Sequence, residues 1–205
     1  KNVEVWMNEV EMAMCVSVKH VLWSSIVDYA TRARGEWMQM WPAQCVLNGS
    51  QLHWTREVEE AIREGGAAGV EECYKRQVEQ LKVIVKLVRG KLPKLVKVQL
   101  GALTVLDVHS RDVLRKMVDS KVGAVNDFDW ISQMRYYWTE GDEVGDMRMH
   151  MLSSNRPYAY EYLGNTMRLV ITPLTDKCYL TLMGAVQMNL GGSPAGPAGT
   201  GRRRQ

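Results

Sequence analysis

Gly196-Pro-Ala-Gly-Thr-Gly201, followed by Arg202-Arg-Arg-Gln205, is the stretch on which the fold reading turns. Its glycine spacing is G-x-x-x-x-G, the opening of a phosphate-binding loop whose backbone N–H groups cradle phosphate oxygens. In a complete loop the next two residues are Lys and Ser or Thr. The lysine reaches the outer phosphates and the hydroxyl binds Mg²⁺. Here those two positions hold Arg202 and Arg203. Arg202 keeps positive charge, but its planar fork does not reproduce a compact ammonium. Arg203 has donors only and no lone pair for a cation. Gly196, Pro197, Ala198, Gly199, Thr200 and Gly201 are therefore candidate phosphate-loop residues of an incomplete site, with no catalytic or metal-ligating residue beside them. With 17 glycines in the chain, about one such pair arises by chance, so the bare pattern needs support from its surroundings.

Working back from the loop, Pro173-Leu-Thr-Asp176 predicts a helix from Thr175 or Asp176 to about Met188, with Tyr179, Leu182, Met183 and Val186 inward. Before it, Met147–Met151, Tyr158–Tyr162 and Leu169–Thr172 alternate or run apolar in short pieces, which predicts strands and turns. Thr139–Gly145 is a polar turn, and a domain boundary is expected within 139–160. Upstream the texture is helical. Asn126 predicts the cap of a helix over Asp127–Trp138. Leu95–Val118 reads mostly as helix, although Val96, Val98 and Leu100 alternate like a strand. Val70–Val88 holds the helical period, with Gly90 and Pro93 as stop signals. Thr55–Glu64 predicts a short helix, joined to the next by Gly65–Gly69, a loop or flexible joint. Cys45–Ser50 reads as a connecting segment after the helix breaker Pro42. Val3 to about Ala33 predicts one long amphipathic helix or two in line, its Trp6, Trp23, Met12 and Met14 assigned to core packing against neighbouring helices. The fold class is thus mainly α, followed by a short α/β segment.

Composition narrows the function classes. The net charge of +3 is supplied by Arg202–Arg204 alone, because the other 23 basic residues equal the 23 acidic ones. A neutral body gives no electrostatic footprint for nucleic acid, and three arginines are a short one. Mean hydropathy is slightly negative, and no apolar run long enough for a membrane span is expected. A start at Lys1 without a signal peptide is expected of a piece of something longer. Cys15, Cys45, Cys73 and Cys178 lie far apart, as reduced thiols of a cytosolic protein do. No two of them, or of the four histidines, sit at zinc-ligand spacing. Asp107, His109, Arg111 and Asp112 bring acid and imidazole together. Without a local nucleophile or glycine loop, that cluster reads as a salt-bridged helix face rather than a general base.

Asp127-Phe-Asp-Trp-Ile-Ser-Gln-Met-Arg-Tyr-Tyr-Trp138 closely resembles a segment near the C-terminal end of the linker in dynein heavy chains. Tyr160-Glu-Tyr-Leu-Gly-Asn165, Arg168-Leu-Val-Ile-Thr-Pro-Leu-Thr-Asp176 and Gly196–Gly201 resemble the approach to that family's first AAA+ module, in the same order. Trp41-Pro-Ala-Gln44, Leu87-Val-Arg-Gly-Lys-Leu92, Leu100-Gly-Ala-Leu103 and Asp107-Val-His109 resemble the axonemal type more than the cytoplasmic one. The family's heavy chain is an ATP-driven, minus-end-directed microtubule motor. Its linker swings over a six-module ring as the first module binds and hydrolyses ATP. The resemblance implies a linker, or lever, in residues 1–150, the start of the first ATPase module in 151–201 and a non-family basic tail in 202–205. It implies that Leu169, Val170, Ile171, Thr172 and Pro173 line an adenine pocket. It also implies ATP and Mg²⁺ as cofactors of the parent motor. The implied partners are the rest of the ring, intermediate and light chains, and microtubules, in the cytoskeleton of a cilium or flagellum.

Arg202 and Arg203 set what this chain itself is expected to do. Losing the lysine, the metal ligand and the helix that should follow the loop costs about 4 kcal/mol of nucleotide binding, roughly a thousandfold. Hydrolysis by these residues alone is not expected, and ATP and Mg²⁺ are not expected to be held tightly. Two other readings stand beside this one: a non-catalytic helical interaction module of the dynein arm, and a degenerate nucleotide binder.

Overall fold

A computed structural model describes residues 2–140, 144–165, 170–193 and 195. Leu169 and the six residues Gly196–Gly201 lie outside the described residues, as does the tail 202–205. The elements run α1 (Val3–Asp28), α2 (Arg34–Met40), α3 (Ala43–Arg89), α4 (Lys94–Asp119), α5 (Phe128–Ile131), β1 (Arg135–Thr139), β2 (Asp146–Met151), β3 (Ser154–Pro157) and α6 (Pro173–Gln187). A mostly helical N-terminal part is therefore followed by a small sheet and one further helix.

Helix α3 folds back on itself. Gly66 has φ 54° and ψ −134°, a backbone state open mainly to glycine. Beyond it the chain reverses, and Arg76 Nη2 comes to 3.4 Å from Glu57 Oε2. In a straight helix residues 57 and 76 would be about 28 Å apart. A Cβ on Gly69 would meet the Ala61 carbonyl oxygen at 2.1 Å, so the crossing requires glycine there as well. The expected joint at 65–69 is thus the tip of a helical hairpin. Val58 and Ile62 on one arm meet Val70 and Cys73 on the other, and α4 closes this cluster with Val113, Leu114 and Met117. At the other end of the hairpin Val46, Leu47 and Ile84 pack on Leu100 and Leu103 of α4 and on Trp37 and Met38 of α2.

Several expectations need correction. Residues 45–50 are not a connecting segment: they lie in the first turns of α3, which begins at Ala43. Ala43 to Leu52 are all buried, so no amphipathic stripe marks them. Gly49 is chosen by space, since a Cβ there would lie 3.1 Å from the Trp37 ring. The strand-like start of α4 is helical from Lys94, and buried Gln99 uses its amide on the carbonyls of Met38 (2.6 Å) and Trp41 (3.0 Å). The helix expected over 127–138 stops at Ile131, and residues 135–139 form β1 instead. The sheet is antiparallel in the order β1-β2-β3, with Arg135 opposite His150 and Met149 opposite Arg156. A run of Tyr136, Tyr137 and Trp138 suits a half-buried strand, and pairing with β2 outweighs the helical spacing. Trp138 stacks on Trp23 of α1 at 4.9 Å, and the Tyr136 N–H donates to Thr55 of α3 at 3.1 Å.

Residues 158–162 are not a strand either. Tyr160 sits at φ 56°, outside the extended region, and turns the chain away from the sheet. Its hydroxyl holds it there, accepting from the buried Met147 N–H (2.7 Å) and donating to Asp146 (2.5 Å). The described part of 169–172 is likewise irregular. In α1 the core assignment holds only for the C-terminal part, where Leu22, Ser25 and Ile26 are buried. Trp6 and Met12 are exposed at 57% and 69%. The expectation that no segment is apolar enough for a membrane also fails for α1, which qualifies by length and composition. All four cysteines are free thiols.

Candidate functional site

The stretch Val170–Pro173 leads directly into α6, and its sequence fixes how that helix begins. Thr172 is the N-cap: its Oγ1 accepts from the Thr175 N–H (3.4 Å), while Thr175 Oγ1 accepts from the Thr172 N–H (2.7 Å). Two of the orphan amides at the helix end are satisfied reciprocally. Pro173, which has no N–H to lose, occupies the first helical turn. Val170 is 62% exposed. Thr172 and Pro173 are also exposed, and Ile171 is half-buried. Four of the five expected base-contacting residues are thus placed together, mostly open to solvent.

Ile171 faces a cavity of about 380 Å³ beneath α6, shared with Asp176 and Tyr179. Asn48, Gln51 and Trp54 of α3 and Leu106 and His109 of α4 close it from the far side. A second cavity of about 440 Å³ lies along α6 between Cys178, Leu182 and the glycines at 191 and 192. Leu182 comes so close to Gly192 that a Cβ there would lie 2.2 Å from its Cδ2. Helix α6 is therefore lightly packed, and the inward assignment fails for Leu182 and Val186, which are 37% and 44% exposed. It is held at its far end by Ser154, whose hydroxyl donates to the Met183 carbonyl at 3.0 Å, and by Arg156 on the Val186 carbonyl.

Asp107 and His109 do not act together. Asp107 is buried and accepts two bonds from Arg34 Nη2, at 3.0 and 2.9 Å. Burial pushes its carboxyl up and the guanidinium opposes that. His109 points instead toward α6, with Nε2 3.6 Å from Asp176 Oδ1. Burial lowers the imidazole and raises the Asp176 carboxyl, each partly offset by the other. The salt-bridged reading of this helix face holds, with Arg111 on Asp112 at 2.6 Å as its exposed member.

Residues that sequence reasoning did not single out for a role tie the approach segment 158–165 to the helices. Gln44, 4% exposed, donates its amide to the Glu161 carbonyl and the Tyr158 hydroxyl, both at 2.7 Å. Its carbonyl accepts from the Leu163 N–H at 2.9 Å. Asn48, one turn on, donates to the same Tyr158 hydroxyl at 2.8 Å. Asn165 donates to the Leu95 carbonyl at the start of α4, at 3.1 Å. The available signal was two carboxamides four residues apart, after a proline, on a helix with no polar face.

A family model described as the hydrolytic ATP binding site of dynein motor region matches residues 158–204. Over 200 residues the chain is 49% identical to dynein axonemal heavy chain 12 of Mus musculus, covering 98% of this chain and 6% of that protein. It is 46% identical over 200 residues to dynein axonemal heavy chain 3 of Homo sapiens, covering 98% of this chain and 5% of that one. Against dynein axonemal heavy chain 1 of Homo sapiens the identity is 46% over 201 residues, with 98% and 5% covered. The chain spans about one-twentieth of the length of these curated relatives.

Proposed function

The chain is a stretch of axonemal dynein heavy-chain sequence that includes the start of the motor region's ATP-binding site, and we propose that it is the junction between lever and motor. In this reading residues 1–150 are the C-terminal part of the linker. Residues 151–201 begin the first ATPase module. Leu169 to Pro173 contact the base of ATP, and Gly196, Pro197, Ala198, Gly199, Thr200 and Gly201 surround its phosphates. The parent motor binds ATP with Mg²⁺, works on microtubules in the axoneme of a cilium or flagellum, and carries intermediate and light chains. The observation that carries the proposal is identity of 46–50% along 98% of the chain, through the matched ATP-site segment.

What these residues do alone follows from Arg202 and Arg203. Neither supplies a metal ligand, and the loop lacks the lysine that reaches the outer phosphates. An exposed apolar surface on a helix over 127–138 would favour the interaction-module alternative. The helix stops at Ile131, with Trp130 fully buried and Phe128 63% exposed.

Calorimetric titration of the 205-residue chain with MgATP, together with a phosphate-release assay, tests the proposal. The expected results are no turnover and binding no tighter than about 1 mM. Binding tighter than about 0.1 mM, or measurable turnover, would overturn the reading of an unfinished site.

A further inference from the structure

Tyr160 turns the chain out of the sheet, so the residues after it lose any strand partner for their backbone groups. A buried peptide group without a partner is costly, and Gln44 stands in for the missing strand. Its carboxamide donates to the Glu161 carbonyl and accepts from the Leu163 N–H. This is the donor–acceptor pair that a neighbouring strand offers to residues i and i+2. The second amide hydrogen goes to the Tyr158 hydroxyl, so at 4% exposure both hydrogens and the carbonyl are used. We propose that Gln44 is the positioning residue that locks the approach segment 158–165 onto the hairpin α3 and so sets where the stretch 170–173 stands relative to it.

The placement makes this contact consequential. Gln44 lies in the first turn of α3, just before Val46 and Leu47, which pack with Leu100 and Leu103 of α4. Leu163 is seven residues before Val170, a reach of at most about 25 Å. Glu161 and Tyr162 are exposed and supply no packing of their own. Tyr158 and Tyr160 pack on the core, and beyond them the register over 161–163 is carried by polar pairing. The functional consequence rests on the ATP-site reading above, but the anchor does not.

Residue-resolved amide exchange and NMR of the 205-residue chain, parent and Q44M, provide the test. Methionine keeps the length and shape of the glutamine side chain and removes the amide. In Q44M the Leu163 amide is expected to exchange about tenfold faster or more. Its proton signal should move upfield as the bond is lost, while α3 and α4 amides stay within about twofold. In Y158F, which spares the backbone pair, Leu163 should keep its protection within about twofold. An unprotected Leu163 amide in the parent chain would overturn the proposal without any variant. So would unchanged protection in Q44M, an equal loss in Y158F, or a loss spread evenly over α3 and α4. Failure of the MgATP experiment leaves these outcomes unaffected, so the two readings are separable.

Discussion

Replacing Arg34 by methionine isolates a buried carboxylate. Asp107 is 3% exposed, and its two oxygens share the Arg34 guanidinium at 3.0 and 2.9 Å. In R34M the aliphatic stem remains and the charge is gone. Breaking a buried pair from one side costs about 3–5 kcal/mol, because the surviving charge has lost both water and partner. For a urea slope of about 2–3 kcal/mol per molar, the unfolding midpoint falls by roughly 1–2.5 M. The loss depends on pH in a defined direction. Burial already holds the Asp107 carboxyl above its ordinary value, and Arg34 counteracts this. Without Arg34 the folded-state value rises further, and a raised carboxyl penalises the fold only where it is ionised. The deficit of R34M is therefore greatest near neutral pH and shrinks as pH falls through the raised value. The double variant R34M/D107L, which removes both charges, is expected to recover most of the loss. Urea titrations monitored by tryptophan fluorescence at several pH values supply the measurement. A deficit under about 1 kcal/mol at neutral pH, or one that does not change on acidification, would refute the argument.

Y160F strips the hydroxyl that satisfies the buried Met147 N–H, and is expected to cost about 1–3 kcal/mol, with faster exchange at the Met147 amide. G49A gains helix propensity but places a methyl 3.1 Å from the Trp37 ring, which is fully buried and pinned by its Nε1 bond to the Ser25 carbonyl. Overpacking should win by about 1–2 kcal/mol. Calorimetry should then show a melting temperature lower by roughly 2–8 °C. His53 stacks on Tyr29 at 3.8 Å, and burial lowers its imidazole to about 4. Its depressed value stabilises the fold above the ordinary imidazole pKa of about 6.5, and that contribution is lost as pH falls toward 4. An NMR titration midpoint near or above 6 for His53 would contradict this.

The long exposed helices were legible because burial on one side leaves a stripe. Residues 70–89 and 94–119 are of this kind, and Gly90 and Pro93 marked the break between them. Residues 43–52 were not legible because they are buried on every side, which erases the periodicity. Residues 135–139 were misread because Trp130, Met134, Tyr137 and Trp138 satisfy helical spacing. What decides their state is pairing with residues 146–150, information that lies outside any local window. The tyrosine run at 158–162 failed through a single residue, Tyr160, which sits at positive φ with its hydroxyl accepting from Met147 N–H of β2. At the candidate site the glycine spacing is plain in the sequence, but the helix expected from Thr175 or Asp176 begins at Pro173, capped by Thr172. The anchor Gln44 could not be read, since two carboxamides four residues apart after a proline name no partner until the chain 114–119 residues later returns to meet Gln44.

The reversal at Gly66 bears on how the approach segment is tethered. Because α3 doubles back, its first and last turns stand side by side, with Val46, Leu47 and Ile84 in one cluster. The approach segment is bonded to the first turn of α3 through Gln44 and to the start of α4 through Asn165. Through Tyr160 it is also bonded to β2, whose partner β1 holds Thr55 and Glu59 on the outer arm of the hairpin. The segment is thus tied to the root of the hairpin directly and to its outer arm by way of the sheet.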